Sequence, residues 1–120
     1  MKELTEAAIA KAYVGKPYNT DHIRKIAMGT QTGAVVFSRR ITRSQGALIG
    51  ITDEIFERWW DANIYVSVFI ELDEDSQTVK KCEFVKDKES DGKFSSLTPA
   101  EEDLRIFHNV MEYITTEKET

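Results

Sequence analysis

Residues 64–72 alternate without a break: Ile64, Val66, Val68, Ile70 and Leu72 fall on one side of an extended chain, and Tyr65, Ser67, Phe69 and Glu71 on the other. Successive side chains of a strand point to opposite faces, so this run is a strand with one fully apolar face and one mixed face. Such a strand needs neighbours for its backbone groups and a second layer over its apolar side. Both requirements constrain the rest of the chain.

The covering layer is legible on either side. Thr98-Pro99-Ala100-Glu101 reads as a capping box with proline at the first helical position. Behind it, Leu104, Phe107, Met111 and Ile114 recur three or four apart, broadened by Ile106, Val110 and Tyr113. Upstream, Thr52 is an N-cap with Asp53 and Glu54 in the first turn, and Ile51 is placed to staple onto Phe56. The helix it opens runs to about Ala62 and carries Ile55, Phe56, Trp59 and Trp60 as one broad apolar stripe.

Strand partners are written more weakly. Asp73-Glu74-Asp75-Ser76 forms a turn, and residues 78–85 return as a strand whose Lys80-Lys81 interruption marks a bulge or an edge. A first hairpin is expected from residues 34–41, a turn at 42–46 and a return strand at 47–51, the last weakened by Gly50. Residues 87–96 read as a polar loop. Ahead of all this, Leu4, Ala8 and Ala12 with Ile9 and Tyr13 mark a helix over residues 4–13, ended by Gly15-Lys16-Pro17. Asn19-Thr20-Asp21 caps a second short helix bearing Ile23, Ile26 and Ala27, with Gly29 as a left-handed C-cap.

The expected fold is a single α+β domain of 120 residues in the order α-α-β-β-α-β-β-α, with an antiparallel sheet of about four strands packed against helices. Residues 1–29 form a helical portion that either packs on the same core or projects as a pair, and residues 116–120 fray. With 41% apolar residues, the core needs no metal or disulfide. The first residues lack an apolar run of signal-peptide length, nothing approaches a membrane span, and the one cysteine, Cys82, cannot pair internally. These point to a cytoplasmic protein with no membrane partner.

The net charge of −5 divides unevenly, with eight cations against three acids in residues 1–43 and eight against eighteen in the remainder. Three function classes draw on this. In the first, the protein is not an enzyme but a binding protein that occupies a partner's surface, as inhibitors and immunity proteins do. Its contacts are Asp73, Glu74, Asp75, Glu101, Glu102 and Asp103, together with whichever of Trp59 and Trp60 stays out of the core. In the second, residues 5–28 act as a helix-turn-helix presenting Thr20, His22, Arg24 and Lys25 to nucleic acid, with Arg39, Arg40 and Arg43 on a winglike hairpin. In the third, those arginines grip the phosphates of a nucleotide.

Catalytic and metal signals are sparse. His22, His108 and Cys82 are isolated from any second ligand at metal-binding spacing, and each reads as structural. Asp87, Glu89, Asp91 and Gly92 begin like a calcium loop, but Thr98 stands where its bidentate glutamate belongs. No catalytic residue, metal or cofactor is expected. Homo-oligomerisation through an edge strand or the final helix remains open.

Overall fold

The computed structural model describes residues 4–27, 29–31, 34–38, 41–73 and 77–116. Its first helix, α1 (Glu6–Tyr13), starts where the Thr5 hydroxyl accepts the Ala8 amide hydrogen at 3.1 Å. Ile9 and Tyr13 enter the core, while Leu4, Ala8 and Ala12 face out, so the inward stripe is the pair and not the alanine row. Asn19 caps α2 (Thr20–Ile26) by accepting from the amides of Asp21 and His22, and Ile23 and Ile26 are buried. Both helices therefore pack on the shared core. The connector between them adds to the sheet: the Gly15 amide donates to the Val79 carbonyl at 2.8 Å, and Val79 donates back to Lys16 at 2.9 Å.

Gly29 does not cap α2; it opens β1 (Gly29–Gln31), which pairs with β2 (Ala34–Ser38). The hairpin thus lies one segment earlier than the sequence predicts. The predicted turn and return strand are instead a short helix, α3 (Arg43–Ala47), followed by a turn. The reason is local: Thr42 accepts the Gln45 amide at 3.2 Å, and the Gln45 side chain accepts the Thr42 amide at 2.7 Å, a complete capping box. Gly50, at φ +81, then turns the chain into α4 (Asp53–Asp61), whose N-cap Thr52 accepts the Ile55 amide at 3.2 Å.

The alternating run becomes β3 (Ile64–Asp73), paired along its length with β4 (Thr78–Ser90). A register shift at Glu71/Leu72 lets Lys80 and Lys81 both face solvent, so Val79 and Cys82, three residues apart, are both buried. The 87–96 segment is no loop. Asp91 and Gly92, both at positive φ, make a two-residue turn that returns β4 into β5 (Lys93–Ser96). The result is a five-stranded antiparallel meander in the order β1-β2-β3-β4-β5, which joins both hairpins in one sheet.

The last helix, α5 (Glu101–Thr115), begins two residues later than the predicted box, with Ala100 at the N-cap and Asp103 accepting its amide hydrogen at 2.7 Å. Its side chains Phe107, Val110, Met111 and Ile114 are fully shielded against Val66, Val68, Ile70 and Phe84 of the sheet and Ile9 and Tyr13 of α1. The fold class is α+β, with five helices among the described residues where four were expected and five strands where about four were expected. Among the described residues, no helix is long and apolar enough to cross a membrane.

Candidate functional site

Helix α4 decides what becomes of the tryptophan pair. Neighbours on a helix point about 100° apart. Trp59, four residues after Ile55, joins the core at 2% exposure, whereas Trp60, four residues after Phe56, stands 68% exposed. Burying an indole contributes about 3 kcal/mol, and only Trp59 collects it within the chain. Trp59 is therefore withdrawn from the set of partner contacts.

Phe56 and Trp60 border a shallow cleft of about 220 Å³, completed by Arg43, Glu57 and Asp61. Gly46 of α3 is what lets Phe56 lie there: a β-carbon at that position would stand 2.6 Å from the ring. Arg43 is held by Asp53 at 3.1 Å. Glu57 and Asp61 lie one turn apart and have no ion-pair partner among the described residues. Beside them Arg58 bridges Glu54 at 3.7 Å and Glu102 of α5 at 2.7 Å, fixing α4 against α5. The cleft thus offers an aromatic wall, a half-buried aromatic floor and a rim of both signs.

The other predicted contacts disperse. Asp103 is 1% exposed and bound to Lys86 at 2.6 Å, so it is a core group and cannot meet a partner. Glu102 is turned to Arg58, and Glu101 is paired with Arg105 at 2.9 Å. Asp73 ends β3, half-buried. Glu74 and Asp75 lie outside the described residues, as do Arg39 and Arg40. Arg24 and Lys25 are exposed in the last turn of α2, with Arg24 4.0 Å from Asp21. Arg43 stands at the start of α3 rather than on a hairpin.

His22 does not lie on an outer face: its Nδ1 is 2.7 Å from the Tyr113 carbonyl, and its ring stacks on Tyr113 at 4.4 Å. His108 sits between the Tyr13 hydroxyl, 3.0 Å from Nδ1, and the Glu112 carboxylate, 3.0 Å from Nε2. The Cys82 thiol points to the Ala10 carbonyl at 3.7 Å, and burial pushes its pKa up to about 11, far from the thiolate a nucleophile needs. Among the described residues there is no cluster of three metal-ligating side chains.

A wider hollow of about 440 Å³ lies between α2 and the end of α5, lined by Asn19, Thr20, Asp21, Thr115 and Thr116 among others. Asn19 is spent on joining the two helices: its backbone amide donates to the Ile114 carbonyl at 2.6 Å, and its side chain to the Thr116 carbonyl at 3.3 Å. Sequence reading missed Phe56, Glu57 and Asp61 as site residues, although the four-residue spacing of Phe56 and Trp60 sets the two together on one edge of the broad α4 stripe. No family model matches the chain, and neither the curated proteins nor the solved structures include one similar to it.

Proposed function

We propose that the protein is a non-enzymatic binding module of the inhibitor or immunity type, which occupies a surface of a partner protein and anchors there through Trp60. The observation that carries this reading is the divergent fate of two adjacent tryptophans, one at 2% and the other at 68% exposure beside a cleft. Tryptophan is among the residues most often responsible for binding energy at protein interfaces, where truncation costs about 2 kcal/mol or more. The rim of Glu57, Asp61 and Arg43 gives the anchor a polar surround that can select a partner by charge. The engagement of His22, His108 and Cys82 in packing supports a role outside catalysis.

The test is affinity capture from the native cell by the wild-type chain and by Trp60→Ala, with equal folding verified by circular dichroism. A protein held by the wild type and lost with the variant supports the anchor; equal retention by both overturns it. Recovery of nucleic acid that competes with salt would instead favour Arg24 and Lys25 as the working surface.

A further inference from the structure

Helices α1, α2, α4 and α5 converge on one face of the sheet, the side of Val66, Val68, Ile70, Val79, Cys82 and Phe84. The opposite face of β3, β4 and β5 is left without a covering helix among the described residues. It is neither a plain polar surface nor a hidden core. Phe94 is 64% exposed and Phe69 42%, while Tyr65 and Val85 lie half-buried between them. Tyr65 and Phe94 meet edge to face at 5.4 Å, which holds both rings in place before any partner arrives.

Acids are interleaved with these rings by the strand register. Glu83 stands opposite Phe69, Asp87 opposite Tyr65, and Glu89 opposite Phe94. Directly opposed residues share a face and lie within about 5.5 Å. Glu83 and Asp87 have no ion-pair partner among the described residues, and Glu89 accepts the Tyr65 hydroxyl at 2.6 Å. Among the described residues, the cations of this face are Lys80 and Lys81, which sit at its far end, where Lys80 is engaged by Glu71 at 3.5 Å.

We propose that this open sheet face is a second docking surface, distinct from the Trp60 cleft, and that its occupant is an arginine- or lysine-rich segment of a partner protein. Carboxylates spaced along one strand pair with cationic heads, and the exposed rings take the aliphatic stems and guanidinium planes. Two copies of the chain facing each other here would gather an excess of acids into one interface, since Glu71, Glu83, Asp87 and Glu89 of each outnumber Lys80 and Lys81, which disfavours self-association. Nucleic acid is repelled by the same three groups.

The probe is a nona-arginine peptide, titrated into the full chain at two salt concentrations with amide chemical shifts as readout. Shifts should cluster on β3, β4 and β5. The exposed-ring variants Phe69→Ala and Phe94→Ala, which remove no charge, should each weaken the peptide about fivefold, and Glu83→Gln with Asp87→Asn about tenfold. Glu57→Gln with Asp61→Asn removes the same charge at the Trp60 cleft and should leave the affinity within about twofold. Equal weakening by the two charge-matched pairs would reduce the binding to net charge and overturn the proposal. So would unchanged affinity in both ring variants, or sedimentation showing a dimer that Phe69→Ala dissolves. Trp60→Ala should have no effect on this titration, so failure here and failure of the Trp60 reading are separable.

Discussion

Asp103 is the one buried charged residue among those described, and its carboxylate serves two donors: the Lys86 ammonium at 2.6 Å and the Ala100 amide at 2.7 Å. Lys86 is itself only 13% exposed, so removing the charge opposite strands an ammonium in the core. Asp103→Asn should cost about 3–5 kcal/mol in chemical denaturation, and adding Lys86→Met should restore part of it. The position of Asp103 four residues before Phe107, on the apolar stripe, was the signal that set it apart from Glu101 and Glu102. Three consecutive acids on a helix necessarily face three directions. Cys82 supplies a pH-dependent prediction. Its thiol is raised by burial from 9.0 to about 11, and burial, then Glu112, then Cys82 raise the Tyr13 phenol above 10.0. Both groups hold their protons more tightly in the fold, so their contribution is complete below the unfolded values and lost as pH climbs through the folded ones. The denaturation midpoint should stay level up to about pH 8.5 and fall between about 9 and 11. Cys82→Ala should flatten the first part of that fall; an identical fall in the variant would assign it to other groups.

Capping and turn chemistry explain where elements begin and why one of them was misread. Thr42-Arg43-Ser44-Gln45 carries the side chains of a capping box, yet it follows a β-rich run and so resembles the turn of a hairpin in sequence. Asp91-Gly92 is a strong two-residue hairpin signal, hidden because its flanking strands are polar and because β5 is exposed along its whole length. By contrast, Thr52, the 64–72 alternation and the final helix were legible, since each is specified by residues a few positions apart. Gly50 and Gly15 provide a paired test of turn requirements. Both hold positive φ, but a β-carbon at Gly50 would stand 2.8 Å from the Asn109 amide nitrogen, whereas Gly15 has open space. Gly15→Ala should cost about 1 kcal/mol from backbone strain alone. Gly50→Ala should cost more, about 2–3 kcal/mol, because it also displaces the Asn109 side chain from the Ile49 carbonyl. Equal thermal shifts for the two would show that Asn109 moves freely.

Assembly of the chain brings its beginning and end together: α1 and α2 both pack against α5, and the buried apolar side chains among the described residues belong to one cluster. Ile9, in the first helix, is 3% exposed, so Ile9→Ala should destabilise the entire fold by about 2–5 kcal/mol. Trp59 fluorescence and far-ultraviolet circular dichroism should then report a single coincident transition; a separate early loss of helix signal would mean that the first helices form a detachable unit. The uneven division of charge along the sequence is likewise bridged by packing where Arg43 of the basic portion meets Asp53 of the acidic one.

Periodicity and caps operate between neighbours in the chain, and they were enough to establish an α+β protein with one dominant strand, an amphipathic final helix and an apolar α4. They left two matters open on which the proposed function and the proposed docking face rest. Trp59 and Trp60 sit on one stripe in the sequence, and only the packing of α4 on the core sends one inward and leaves the other at 68% exposure. Tyr65 and Phe69 likewise occupy the second face of a strand whose pattern does not say how many layers cover it. Helices α1, α2, α4 and α5 gathering on the Val68 side leave that face open, because burial is set by what packs from distant parts of the chain.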